Sequence, residues 1–269
     1  MTALAAPPGT VAVVTGHSRG LGLALAHALL ALGVPVLGLA RQACPEHVTL
    51  HAPGAPNVPG ATGAQVARLQ QEALDLADPN ALADWLATGT LVRFMAGASQ
   101  VLLLNNAGTV QPMGAPGLQG AEAIAQAVAL NVSAPLMLCD ALLQHRAPGQ
   151  PVRVVHIGSG AGRTAYAGWS VYGATKAALD HHARCVQADA LPGVRAESLA
   201  PGVLDTDMQA DIRATRTERF PLRARFDQLH ASGALVPPEQ AARHLLAHVL
   251  SEAFGQHPCT DLRNLPAPT

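Results

Sequence analysis

One lysine occurs among the 17 basic residues of this 269-residue chain, and it stands four positions after one of only two tyrosines, in Tyr172-Gly173-Ala174-Thr175-Lys176. Arginine fills every other basic position, so an ammonium kept here marks a site that a guanidinium would not serve. On a helix, positions i and i+4 share a face, and both side chains can enter one cleft. A phenol titrates near 10 in water, and bringing it to neutrality takes about 4 kcal/mol of preferential stabilisation of the phenolate. An adjacent ammonium can supply that. The same pair on a solvated helix surface would be inert, so the rest of the chain decides.

A second group of residues able to do chemistry lies near the N-terminus, where a short apolar run ends in Thr15-Gly16-His17-Ser18-Arg19-Gly20-Leu21-Gly22 and a helical pattern follows. Glycines at such a turn let the backbone approach a phosphate, and the helix start offers unpaired N–H groups and a positive dipole end. Strand, glycine turn and helix in this order read as a dinucleotide site, with Gly16, Ser18, Gly20, Leu21 and Gly22 around the phosphates. An NAD site places an acid about 20 positions on, at the end of the second strand, to hold the ribose 2′-hydroxyl. Here Ala40-Arg41-Gln42 stands at that point and the nearest acid is Glu46. Arg19 and Arg41 would grip a 2′-phosphate from two sides, which predicts NADP(H) over NAD(H).

The elements that must position these groups follow an α/β pattern. Apolar runs at Val11 to Thr15, Val34 to Leu39, Val101 to Leu104, Val152 to Ile157 and Val194 to Leu199 predict strands. Between them Leu21 to Leu32, Ala81 to Met95, Ala121 to His145 and Val171 to Ala190 predict helices, the signature of a parallel sheet covered on both faces. Residues 42–63 hold four prolines and three glycines and read as a loop where a crossover helix is expected. Residues 205–233, polar and arginine-rich, interrupt the alternation and are placed to form a lid over the carboxyl ends of the strands. The expectation is one doubly wound Rossmann domain over 1–269 with that lid.

Composition narrows the function classes. Apolar residues make up 49% and charged residues 13%, which excludes disorder, and a net charge of −1 leaves no electrostatic footprint for nucleic acid or an anionic membrane. No uninterrupted apolar run reaches a membrane span and the first residues lack the basic start of a signal peptide, which points to a cytoplasmic protein. Cys44, Cys139, Cys185 and Cys259 are scattered without a CxxC pair and read as reduced, mostly buried thiols. His244 and His248 stand at i, i+4 without a third ligand, so a polar helix face is preferred and no metal is expected. His181 and His182 are adjacent and cannot share a helix face. The lid arginines 213, 216, 219, 223 and 225 interleave with Asp211, Glu218 and Asp227, as on a solvated helix.

Taken together, these motifs resemble the short-chain dehydrogenase/reductase family over residues 10–260. The glycine turn matches its TGxxxGxG, Asn105-Asn106-Ala107-Gly108 its NNAG, and Tyr172 to Lys176 its YxxxK. Ser159 lies where the family has its substrate-binding serine, and Asn131 where it has the helix asparagine of a proton relay. Asp75-Leu76 corresponds to the adenine-contacting pair, and Pro201-Gly202-Val203 with Thr206 and Met208 to the segment holding the nicotinamide carboxamide. The resemblance implies a catalytic set of Asn131, Ser159, Tyr172 and Lys176, with Asn106, Ala107 and Gly108 also against the cofactor. Tyr172 would protonate the carbonyl oxygen, Ser159 hydrogen-bond it, Lys176 hold the ribose and lower the tyrosine pKa, and Asn131 support a water chain.

Within the family the chain is similar to the sepiapterin reductase-like carbonyl reductases, through Gly168-Trp169 ahead of Tyr172, the stretch from Pro201 to Gln209, and Asp261 seven residues after Phe254. That likeness implies NADPH-dependent reduction of a small ketone, diketone or pterin side-chain ketone, with Trp169, Tyr166 and Asp261 against the substrate. It also implies a homodimer or homotetramer. The alternatives are a β-ketoacyl or general alcohol dehydrogenase, or a non-catalytic NADP(H)-sensing protein.

Overall fold

The computed structural model describes residues 4–44 and 68–266, so beyond Cys44 the loop expected over 42–63 lies outside the described residues. In chain order the elements are β1 (Thr10–Thr15), α1 (Gly20–Ala31), β2 (Val36–Ala40), β3 (Leu69–Ala73), α2 (Pro79–Ala87), α3 (Thr90–Met95), β4 (Gln100–Asn105), α4 (Ala121–Val128), a π-helical turn (Ala129–Ser133), α5 (Ala134–His145), β5 (Val152–Ile157), α6 (Ser170–Ala188), β6 (Val194–Ala200), α7 (Asp207–Ala214), α8 (Arg223–Ala231), α9 (Pro238–Val249) and β7 (Cys259–Asp261). The strands form one parallel sheet in the order β3-β2-β1-β4-β5-β6-β7. The winding reverses between β1 and β4, and a crevice opens at that point over the carboxyl ends of the strands.

Strand alternation sends neighbouring residues to opposite faces. In β4, Leu102 and Leu104 join α1 and α9 in one core, while Val101 and Leu103 face the other core with α2, α3, α5 and Val186 of α6. All of these strand residues are fully buried, which is why the central strands read as unbroken apolar runs.

Several boundaries differ from the sequence expectation for identifiable reasons. The helix expected over 81–95 breaks at Gly89, whose φ of 72° suits glycine and ends α2. Strands β3 and β7 were not expected: β3 is an edge strand carrying Gln70, Gln71 and Glu72, and β7 has only three residues. Of the cysteines, Cys44 and Cys139 are buried but Cys185 is exposed on α6. The stretch Ala121–His145 is one 25-residue helical run, long and apolar enough by length and composition to cross a membrane, although polar residues such as Glu122, Asn131 and Asp140 interrupt it. Its Ala134, Leu138 and Leu142 pack against the sheet. On the polar face of α9, His248 is partnered: its Nε2 sits 3.0 Å from Oε2 of the fully buried Glu197 on β6.

Candidate active site

At the switch point the ends of β1 and β4 are laced together. The Thr15 hydroxyl accepts from the backbone N–H groups of Asn106 and Ala107, both at 2.9 Å, and the Asn106 amide donates back to the Thr15 carbonyl at 2.9 Å. A Cβ on Gly22 would stand 2.1 Å from the Gly16 carbonyl oxygen, so no side chain fits there. Gly16 and Gly20 have φ of 68° and 53°, in the left-handed region. Helix α1 starts at Gly20 with no side-chain cap, which leaves its first N–H groups for a ligand. Ser18 is half-buried at this turn and Leu21 anchors the helix in the core. Thr206, which begins the lid, has its methyl 3.3 Å from where a Gly20 Cβ would be, so the glycine turn and the lid close on one groove. On the opposite wall a Cβ on Gly108 would approach Asn131 Oδ1 at 3.3 Å and Lys176 Nζ at 3.7 Å. This glycine-bare groove with a free helix start has the shape and donors a dinucleotide requires.

The two arginines assigned to a 2′-phosphate are both exposed. Arg41 follows β2, and Arg19 reaches Asp207 of α7, Nη1 to Oδ2 3.2 Å, with both side chains 70% exposed. His17, in the same glycine turn, points inward instead. It packs over Gly38, and its Nε2 sits 2.8 Å from Gln71 Oε1, which fixes Nε2 as the protonated nitrogen. Burial pushes its pKa below the ordinary value. Asp75 turns back onto the N–H of Ala77 at 3.0 Å and Leu76 lies in the core.

The structure brings the four expected catalytic residues together. Tyr172 sits in the first turn of α6 and Lys176 one turn on, both buried. The Lys176 ammonium lies 5.8 Å from the Tyr172 ring centre and donates to the Ile157 carbonyl at 2.7 Å. Asn131 occupies the π-helical turn between α4 and α5, a distortion common at functional sites. Its Oδ1 accepts from the Thr109 N–H at 2.8 Å, and its Nδ2 donates to the Thr109 carbonyl at 2.8 Å and to the Thr175 hydroxyl at 3.0 Å. That hydroxyl in turn donates to the Tyr172 carbonyl at 2.8 Å. Ser159 follows β5 and accepts from the N–H of Ala161 at 3.1 Å.

Burial raises the Tyr172 pKa, and hydrogen bonding with Ser159 opposes it only in part. The expectation that the neighbouring ammonium brings the phenol down is therefore corrected: desolvation dominates, and Tyr172 stays in the protonated form. Burial also lowers the Lys176 pKa to about 8, with Asp180 pulling it back up. Asp180 lies one further turn along α6 and is held by Arg163, Nε to Oδ2 2.7 Å and Nη2 to Oδ1 3.3 Å. The same guanidinium donates to the carbonyls of Ser198 at 3.2 Å and Thr260 at 3.3 Å, which ties the segment after Ser159 to α6, β6 and β7. Beneath this group His156, fully buried, accepts from Asn105 Nδ2 at 3.2 Å and meets His182 Nδ1 at 3.0 Å through its Nε2. Burial, with the charges of His182 and Lys176, depresses the His156 pKa to about 3.

Above Tyr172 lies an aromatic cluster. Trp169 stacks on Phe220 at 4.8 Å and meets Tyr172 edge-on at 5.2 Å, Phe226 at 5.5 Å and Tyr166 edge-on at 5.7 Å. Val203 and Met208 line the same cluster. Of the three residues expected against substrate, Trp169 and Tyr166 lie here. Asp261, at the end of β7, is instead clasped by Arg263, Nε to Oδ1 2.8 Å and Nη2 to Oδ2 2.6 Å, and this pairing holds its pKa below the usual carboxylate range. The Arg263 stem lies 3.6 Å from a Cβ built on Gly202, beside Pro201. The sequence reading missed Asp180, Arg163, Thr175 and the lid aromatics. Phe220 and Phe226 carried a signal, since the chain has only four phenylalanines and two fall in the lid.

The family model of the short chain dehydrogenases matches residues 10–217. The chain is 32% identical over 248 residues to a benzil reductase ((S)-benzoin forming) of Bacillus cereus, covering 91% of this chain and 95% of that protein. It is 30% identical over 263 residues to the sepiapterin reductase of Mus musculus, covering 91% and 93%. Among solved structures, a short-chain dehydrogenase/reductase from Burkholderia vietnamiensis is 45% identical with a TM-score of 0.65, covering 96% and 99%. A short chain dehydrogenase from Burkholderia cenocepacia in complex with NADP is 25% identical with a TM-score of 0.69, covering 96% of each chain.

Proposed function

Because this chain belongs to the short chain dehydrogenase family and is an oxidoreductase of C=O and CH–OH groups, we propose that it uses NADPH to reduce an aromatic-flanked ketone or 1,2-diketone, with Tyr172 as proton donor. The observation that carries this reading is the buried Tyr172, kept protonated by burial and roofed by Trp169, Phe220 and Phe226. The likeness to a benzil reductase supports the substrate class.

Gly108 would lie against the nicotinamide, which when bound would supply the hydride. The pyrophosphate would rest on Gly16 to Gly22 and the start of α1, with Arg19 and Arg41 toward the 2′-phosphate. As negative charge gathers on the substrate oxygen, Tyr172 releases its O–H proton to it and the Ser159 hydroxyl donates a hydrogen bond. Lys176, charged below about pH 8, stabilises the phenolate left behind. Asn131 fixes α6 through Thr175 and holds the Thr109 loop, so the donor stays aimed while it reprotonates. The aromatic roof excludes water, which strengthens each of these interactions.

A substrate panel tests the proposal: benzil, sepiapterin and acetoacetyl thioesters, each with NADPH and NADH. Reduction of benzil with a strong preference for NADPH is expected. Sepiapterin should be a poorer substrate, because Arg263 already occupies the Asp261 carboxylate that ring N–H groups would need. No reduction of any panel member, or equal use of both cofactors, would overturn it.

A further inference from the structure

The indole N–H of Trp169 is buried and has no hydrogen-bond partner. A buried donor left without a partner is costly, and native structures rarely keep one without a reason. The side chain is 7% exposed, fixed on one side by stacking against Phe220 of the lid and on another by its edge contact with Tyr172. Its backbone is fixed as well: Gly168 has φ of 85°, and a Cβ there would meet the Arg219 carbonyl at 2.7 Å, so the lid lies directly on the Gly168-Trp169 corner. Among the described residues the other buried polar side-chain atoms without partners belong to His17, His27, Asn105 and Ser198. Trp169 alone of these packs against the proton donor.

We propose that the Trp169 indole N–H is the specificity-determining donor that reads the second, non-reacting carbonyl of a 1,2-diketone while Tyr172 and Ser159 engage the first. This rests on the carbonyl-reductase reading above and narrows its substrate class. The Trp169 and Tyr172 rings meet edge-on with centres 5.2 Å apart, so the indole that carries the unpaired N–H and the phenol that donates the proton are direct neighbours. A diketone admitted beside Tyr172, beneath Phe220 and Phe226, would give the indole the acceptor it lacks. A ketone without the second oxygen leaves the donor unpaired, and a site with a buried polar group discriminates against the analogue that cannot satisfy it.

The test compares benzil with deoxybenzoin, in which a methylene replaces one carbonyl, using the intact protein, Trp169→Phe, and a variant with benzothienylalanine at position 169, which keeps the indole shape without the N–H. Intact protein should favour benzil in kcat/KM. Both variants should lower that benzil-to-deoxybenzoin preference about tenfold, chiefly through KM for benzil. Should Trp169→Phe fold poorly, the benzothienyl variant carries the result. If both variants keep the intact preference within about twofold, or lose the two substrates equally, the proposal falls while the carbonyl-reductase reading stands. If intact protein reduces neither ketone, the functional reading itself falls and takes this inference with it.

Discussion

At one end of the cleft Tyr172, Lys176 and Asn131 are each more than nine-tenths buried and cross-braced through Thr175, Thr109 and Ile157, whereas at the other end Arg19 and its partner Asp207 are each 70% exposed. Buried polar groups must be partnered, so their positions are over-determined by the surrounding chain. Exposed ions gain little from pairing and can be exchanged with little effect on the fold. In the proposed function the buried end would fix the reaction, and the exposed end would adjust which cofactor feeds it.

The largest effect should come from breaking the buried end at its donor. Tyr172→Phe removes one hydroxyl from a ring that otherwise keeps its contacts with Trp169, and kcat for ketone reduction should fall by roughly 10² to 10⁴. NADPH binding, followed by fluorescence titration, should hardly change, because the exposed end is untouched. Retention of more than roughly a tenth of kcat would remove Tyr172 from the mechanism.

The same contrast explains what the sequence made legible. The glycine turn and five of the seven strands could be read because close backbone approach and two-sided burial restrict residue types strongly, and the four residues expected to be catalytic because they stand on the family's motifs. Gly22 tolerates no Cβ and β4 tolerates little but Val and Leu. Strand β3 escaped because an edge strand half in water accepts Gln and Glu, and the break at Gly89 escaped because one left-handed residue interrupts no periodicity. Asp180 escaped because its partner Arg163 lies 17 residues away in sequence, with no spacing rule to connect them. The direction of the Tyr172 shift escaped for a different reason: proximity of Lys176 in sequence said nothing of the depth of burial, and burial prevails.

A sharper probe varies the charge behind Lys176 without touching Tyr172. The proposed mechanism needs Lys176 protonated, so kcat/KM should fall as pH rises through about 8. Asp180 favours the ammonium, and Asp180→Asn should move that fall to lower pH. Arg163 offsets Asp180, and Arg163→Gln should move it to higher pH. The other titratable groups facing Lys176 do not enter this window from below: His156 has a pKa of about 3 and stays neutral, and Tyr172 is raised. Opposite displacements should separate the two variants about tenfold in kcat/KM at the pH of the intact midpoint. Displacements of the same sign would mean that the pair acts by holding the Ser159 segment and not through charge.

The smallest effect belongs to the exposed end, and it decides whether that end selects the cofactor at all. Arg41 has no carboxylate beside it in the sequence before Glu46, and a 2′-phosphate there would form charge-assisted hydrogen bonds partly screened by water. Arg41→Ala should weaken NADPH about fivefold and leave NADH unchanged, the scale of one partly exposed ionic contact. Asp207 draws on Arg19 from the lid, so Asp207→Asn frees that guanidinium and should tighten NADPH a few-fold, with the gain shrinking as salt is added. The two changes should combine additively, because the groups approach the phosphate from different elements. Equal weakening of NADH and NADPH by Arg41→Ala would show that Arg41 supports the turn after β2 without reading the 2′-phosphate, and cofactor choice would then have to be carried by Arg19 alone.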